Sequence, residues 1–156
     1  MHKVRNMEDH FTLQTTYGTT KNSLATAFTI DNESRKQKKG YSTFTDPKVK
    51  NLFISLAKHF KKNLCIHTLY FDKKPIAYEI GFVVGKTYFG NQIAFTDEYL
   101  QYAPGKIMIV RLLENLIAIG ISNLNLGSGD STTKRAITEV NRQLYQVILS
   151  KNILTK

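Results

Sequence analysis

Two glycine-bearing turns and a handful of titratable side chains are the places where this 156-residue chain could do chemistry. The first turn, Tyr102-Ala103-Pro104-Gly105-Lys106, leads into a run of helical apolar spacing. A helix N-terminus exposes unpaired N–H groups and the positive end of the helix dipole. Gly105 removes the side chain that would hold a ligand off, and Lys106 adds a full positive charge. The turn therefore reads as an anion site, for phosphate above all. Proline and glycine at such a place also serve simply to start a helix. The second turn is Gly127-Ser128-Gly129-Asp130, at the end of a short apolar stretch. A Gly-x-Gly loop admits a ligand or a second backbone closely; equally, it is a tight turn in which Asp130 caps the next helix.

The acid–base candidates are Glu79, His67, Tyr88 and Asp130. Glu79 falls in the middle of a strand-forming run. Facing inward, its carboxyl would be held at a raised pKa; facing outward, it would be an ordinary solvated residue. His67 alternates with Cys65 and Leu69 and so shares their face, which suits a core histidine better than a catalyst. Tyr88 reads as packing. Asp130 has the better motif, as a residue that shapes a site as much as a base. The four histidines are dispersed, with no Cys/His cluster and no His-Glu-x-x-His sequence, so no metal site is expected. A serine or cysteine nucleophile has no elbow motif to sit on.

The elements that must position these residues follow from periodicity. Asp46-Pro47 opens a helix, with Asp46 as N-cap and Pro47 in the first turn. Val49, Leu52, Phe53, Leu56, Ala57 and Phe60 give it one apolar face. Leu64–Phe71, Pro75–Val84 and Thr87–Phe95 are strands joined by turns at Asp72-Lys73-Lys74 and Gly85-Lys86, an antiparallel meander. Pro104 to Ile119 is a second helix, ended by Gly120. Asn123–Leu126 is a short strand, residues 131–140 a short helix, and Arg142–Leu149, which alternates, a further strand. Residues 1–30 scatter apolar side chains among threonines and read as irregular or short strand structure. Asp31–Ser42, polar and basic, reads as an exposed loop. The fold class is α+β, a mostly antiparallel sheet flanked by helices, with residues 1–43 as an N-terminal extension and 44–156 as the main domain.

Length and composition fit one soluble domain. There is no run of eighteen apolar residues, so no membrane span is expected. Met1–His10 is charged and lacks the apolar centre of a signal peptide. The single cysteine, Cys65, excludes an internal disulfide and fits a reducing compartment, so the expected location is cytoplasmic. The net charge of +10 attracts anions: nucleic acid, acidic lipid or a polyphosphate cofactor.

Five stretches in order give a resemblance. Phe44-Thr45-Asp46-Pro47, Asp72-Lys73-Lys74-Pro75-Ile76-Ala77, Phe95-Thr96-Asp97, Ala103-Pro104-Gly105-Lys106 and Leu126-Gly127-Ser128-Gly129-Asp130, with Lys134, are similar to a series in the GNAT-type acetyltransferases of the cellulose-biosynthesis (CelD-like) kind. Glu33-Ser34-Arg35-Lys36 resembles an upstream element of the same family, without its tryptophan. The chain resembles the family's C-terminal half. Thr133 stands before Lys134 where the family has tyrosine.

The resemblance implies a GNAT-like fold and an N-acyltransferase that takes an acyl group, acetyl in the first instance, from acyl-CoA. The acceptor would be an amine of a small molecule or cell-surface saccharide. Pantetheine would lie in a cleft between the strands Thr87–Phe95 and Asn123–Leu126, with Phe95 and the amides of Ala103, Gly105, Lys106 and Ile107 at the cofactor. Asp130 and Glu79 would be catalytic, and Lys134, Gly129 and Tyr88 would meet the substrate. A second GNAT-like half or a second copy of the chain is a partner to expect. The alternatives are a Fem-like aminoacyl transferase, for which the basic charge would serve tRNA, and a non-catalytic basic module of the same fold that binds nucleic acid or protein.

Overall fold

The computed structural model describes residues 8–18, 21–129, 132–135, 137–138 and 143. Five strands form one sheet in the order β1-β2-β3-β4-β5: β1 (Phe11–Tyr17), β2 (Leu64–Phe71), β3 (Lys74–Val84), β4 (Thr87–Phe95) and β5 (Asn123–Asn125). The first three pairings are antiparallel and β4–β5 is parallel. The helices are α1 (Lys21–Asn32), α2 (Arg35–Lys38), α3 (Pro47–Phe60), α4 (Pro104–Ala118) and α5 (Thr132–Arg135).

The local signals explain most of these bounds. Asp46 accepts the Lys48 amide at 2.8 Å, capping α3 where Pro47 has no N–H that needs an acceptor. Asp72 and Lys73 both take left-handed φ (46° and 70°), which turns β2 into β3 with the twist a tight hairpin requires. Gly120 (φ 79°) stops α4.

Period-two alternation divides the sheet between two cores. Leu64, Ile66, Tyr78 and Ile80 point to the layer made by Leu24, Ala27 and Ile30 of α1 and by Phe53 and Ala57 of α3. Cys65 and Tyr88 pack under Ile109, Leu112 and Leu116 of α4, on the opposite face. Leu69, Ile76 and Ala77 continue that layer against Met108. Among the described residues no helix is long and apolar enough to cross a membrane.

Two readings of the N-terminal part need correction. Part of the segment expected to be irregular is the helix α1. Its apolar face is Leu24, Ala27 and Ile30 with Phe28 beside them, diluted by threonines that disfavour helices in isolation. Thr26 and Thr29 are accommodated because their hydroxyls donate back to the carbonyls of Asn22 and Ala25. The segment expected as an exposed loop begins with a buried carboxylate. Asp31 accepts from the Ser42 hydroxyl, the Phe44 amide (3.1 Å) and the Tyr78 hydroxyl (2.8 Å). That network folds the loop back onto the sheet, and α2 forms within it. The helix expected at 131–140 is described as α5, Thr132–Arg135; the strand expected at Arg142–Leu149 lies outside the described residues, Gln143 alone excepted.

Candidate active site

Strands β4 and β5 pair at only three positions, Thr87–Asn123, Tyr88–Leu124 and Phe89–Asn125. Beyond Phe89 they part. A bulge helps to separate them: Ile80 pairs with Gln92 and Gly81 with Gly90, leaving Asn91 as the extra residue on β4. The gap is a cleft of about 240 Å³, bounded by β4 from Gly90 to Phe95, by Gly105 and Ile109 of α4, by Leu126 and Lys134 after β5, and by Ser34, Arg35 and Lys36 at the start of α2.

Glu79 reaches this cleft from β3 and is only 3% exposed. Burial pushes its carboxyl well above the usual range, while the Asn91 amide, bonded to it from the bulge, pulls the other way. The Tyr88 hydroxyl donates to its second oxygen. Two glycines make room for this pair. A Cβ at Gly90 would stand 2.8 Å from Glu79 Oε1, and one at Gly81 would overlap the Tyr88 phenol and stand 2.7 Å from the Phe89 carbonyl. Glu79 therefore faces inward, against the solvent-facing reading that its strand position favours.

Tyr88, expected at the substrate, is fully buried and does not line the cleft; it stands behind Glu79 and donates to it. His67 is Glu79's cross-strand partner. Its Nδ1 meets the Thr15 hydroxyl at 2.9 Å, and its Nε2 has no partner among the described residues. Burial lowers its pKa to about 4, so it is neutral at pH 7. Cys65 is pushed up to about 12, first by burial and then by Glu79, which leaves it an inert thiol.

The start of α4 is less open than its sequence implies. Ala103 takes a left-handed conformation (φ 52°), and its carbonyl accepts from the Lys106 amide at 2.9 Å and the Ile107 amide at 3.3 Å. The Ile107 side chain joins the apolar layer beneath. What remains available among the described residues is the Gly105 amide and the exposed Lys106 ammonium. Gly105 is itself fitted to a neighbour, since a Cβ there would stand 3.1 Å from the Phe95 ring. Phe95 thus supports the helix start as well as lining the cleft.

Lys134 does not stand open toward a substrate either. Its ammonium donates to the carbonyls of Gly127 (3.1 Å), Ser128 (2.6 Å) and Gly129 (3.0 Å), one lysine gathering three loop oxygens. Gly129 holds φ 83° in an exposed turn. Asp130 lies outside the described residues. Periodicity overlooked the bulge at Asn91 and the clearance at Gly81 and Gly90; the polar Gly90-Asn91-Gln92 interrupting strand formers was the available signal. No group of three or more His, Cys, Asp or Glu gathers to hold a metal among the described residues.

A family model for the acetyltransferase (GNAT) domain matches residues 2–135. No curated protein sequence matches the chain. Among solved structures, an aminoglycoside acetyltransferase from an uncultured soil metagenomic sample, in complex with sisomicin, superposes with a TM-score of 0.64 at 11% identity, over 92% of this chain and 98% of that one. AAC(6')-Iy, in complex with the bisubstrate analogue CoA-S-monomethyl-acetylneamine, gives 0.61 at 12% identity, over 90% and 99%. The ribosomal-protein-S18-alanine N-acetyltransferase from Escherichia coli gives 0.53 at 18%, over 72% and 64%. At these identities the likeness is one of fold.

Proposed function

The chain belongs to the acetyltransferase (GNAT) domain family, and from that premise we propose that it is an N-acyltransferase moving an acetyl group from acetyl-CoA to an amine of a small molecule or saccharide. The observation that carries this reading is the Glu79 carboxyl, buried beside the Tyr88 hydroxyl and opening into the gap where β4 leaves β5.

The donor supplies an activated thioester carbonyl; the chain's residues do the rest. The Gly105 amide and the Lys106 ammonium hold phosphate oxygens at the start of α4. The β4 backbone from Gly90 to Phe95, which β5 does not pair, offers hydrogen bonds to an extended arm laid in the cleft. Glu79, when ionised, takes the proton that the amine loses as its nitrogen bonds to the acyl carbon. The C–S bond breaks, the departing sulfur takes up a proton from solvent, and Glu79 returns the amine's proton to solvent. Tyr88 orients the carboxyl and supports its charge. Lys134 and Gly129 shape the loop beside the acceptor, and Asp130 remains, on its motif, the second acid–base candidate. The CelD-like motif series supports a saccharide amine as acceptor, and the buried thiol of Cys65 fits a cytoplasmic location.

Two measurements test this. Acetyl-CoA should raise the melting temperature by mass action; no shift at high concentration would remove the donor. Amine-dependent CoA release should fall by about 10²- to 10⁴-fold in Glu79→Gln. An unchanged rate would remove Glu79 as the base.

A further inference from the structure

The charge of the cleft points to the chemical class of the acceptor. Three cationic side chains line it, Arg35, Lys36 and Lys134, against a single carboxylate among the described residues, Glu79. Lys134 is spent on the loop carbonyls. Arg35 is exposed and makes no ion pair among the described residues.

Lys36 is more telling. It is half-buried, and its ammonium donates to the Ile93 carbonyl of β4 at 2.6 Å, one acceptor for three N–H groups. Burial lowers its pKa and Asp31 opposes that shift, but the Asp31 oxygens are engaged by Ser42, Phe44 and Tyr78. A half-buried ammonium that is short of acceptors gains from an anion brought beside it. The two cations are also held in place. Ser34 bridges Thr96 in antiparallel fashion, Lys38 pairs with Asp97 at 2.8 Å, and the Ser34 hydroxyl bonds the Asp31 carbonyl at 2.6 Å. The start of α2 is thereby fastened to the end of β4, next to the reacting gap.

We propose that Arg35 and Lys36 form a subsite for an anionic group on the acceptor, so that the substrates are amines bearing a phosphate or carboxylate rather than polycationic amines. A polycation would have to replace water with two like charges and one buried carboxyl. An amine carrying an anion places its charge on the Arg35–Lys36 side and its nitrogen toward Glu79. The proposal rests on the acyltransferase reading for the fate of that nitrogen. The anion subsite itself does not depend on it.

Matched probes separate the two. Calorimetry with phosphoethanolamine and with ethanolamine, in the absence of donor, should show the phosphate-bearing amine binding at least about tenfold more tightly. Arg35→Ala and Lys36→Gln should each abolish most of that preference, with acetyl-CoA affinity kept within about twofold. Equal binding of the two amines overturns the subsite, as does tighter binding of kanamycin. If the two substitutions instead weaken acetyl-CoA and leave the amine preference intact, the cations serve the donor's phosphates and the proposal is wrong. Preference for phosphoethanolamine in a protein that binds no acetyl-CoA would uphold the subsite while removing the acyltransferase reading. Circular dichroism of both variants, the one at an exposed arginine and the other at a half-buried lysine, checks that a lost preference is not lost folding.

Discussion

Tyr88 donates its hydroxyl to Glu79 from a position with no solvent exposure, while Glu79 itself reaches the cleft. The tyrosine can therefore act on a reaction only through the carboxylate. A donor to a carboxylate favours its ionised form, whereas burial opposes it. Activity that needs ionised Glu79 should rise with pH along a limb lying above the ordinary glutamate range. Tyr88→Phe should move that limb further up and lower the neutral-pH rate, with the KM for acetyl-CoA unchanged. Rate–pH profiles of the two proteins check this. A limb that does not move shows that the hydroxyl has no hold on the carboxyl.

The two glycines beside this pair should fail differently. Gly90→Ala puts a methyl group 2.8 Å from Glu79 Oε1, the end of a side chain that can swing. The expected result is a large loss of rate with a stability loss of about 1–2 kcal/mol. Gly81→Ala overlaps the Tyr88 ring and meets the Phe89 carbonyl at 2.7 Å, which is backbone and cannot yield cheaply. It should cost about 3 kcal/mol or more in urea denaturation. If Gly81→Ala proves the milder change, Tyr88 does not occupy the space described.

That contrast shows why some of the site was readable in the residues and some was not. The meander and both long helices were legible because Asp46-Pro47, Asp72-Lys73, Gly85 and Gly120 punctuate strongly periodic runs. The parting of β4 from β5 was expected only through a family resemblance, since nothing local in Asn123–Asn125 says where pairing stops. The helix α1 escaped because its threonines argue against a helix until their hydroxyls find carbonyls one turn back. The engagement of the Lys106 and Ile107 amides escaped for a related reason. Counting open amides at a helix start requires knowing that Ala103 turns left-handed and offers its carbonyl to both. Clearances at Gly81 and Gly90 depend on cross-strand register, which a single sequence does not carry.

His67 should make the fold acid-sensitive. Its pKa is lowered to about 4 from an ordinary 6.5, so its contribution to stability is present in full above pH 6.5 and is lost as pH falls through about 4. The loss is on the order of 3 kcal/mol. Glu79 works in the opposite sense: its raised pKa favours the fold at low pH and withdraws that support as pH rises through its folded value. Stability measured between pH 7 and 4 should therefore fall less steeply in His67→Gln than in the wild type. Parallel slopes would mean that the imidazole is not buried in its neutral form.

The Asp31 network should behave as one unit. Tyr78→Phe removes one donor and leaves Asp31 with Ser42 and Phe44, a loss of about 1–2 kcal/mol. Asp31→Ala strands the Phe44 amide and the Tyr78 hydroxyl in the core, frees the half-buried Ser42 hydroxyl, and should cost about 3–5 kcal/mol. The double variant should lose less than the sum, since the second change removes a group already without its partner. Strict additivity in a double-mutant cycle would show that the tyrosine and the aspartate are not joined.

The cofactor end of the cleft gives the last test. With the Lys106 and Ile107 amides held by Ala103, phosphate binding at the start of α4 has to come from the Gly105 amide and the Lys106 ammonium. Lys106 is exposed, so its charge contributes modestly and through a salt-screened interaction. Lys106→Ala should weaken acetyl-CoA roughly fivefold at low ionic strength, about 1 kcal/mol, and much less at high salt. Gly105→Ala should do more. Its methyl group meets the Phe95 ring at 3.1 Å, so either the ring or the helix start must move and the one open amide moves with it. Calorimetric titration with acetyl-CoA at two salt concentrations separates the contributions. If Lys106→Ala leaves the affinity unchanged at both, the phosphates bind elsewhere and the start of α4 is only a helix start.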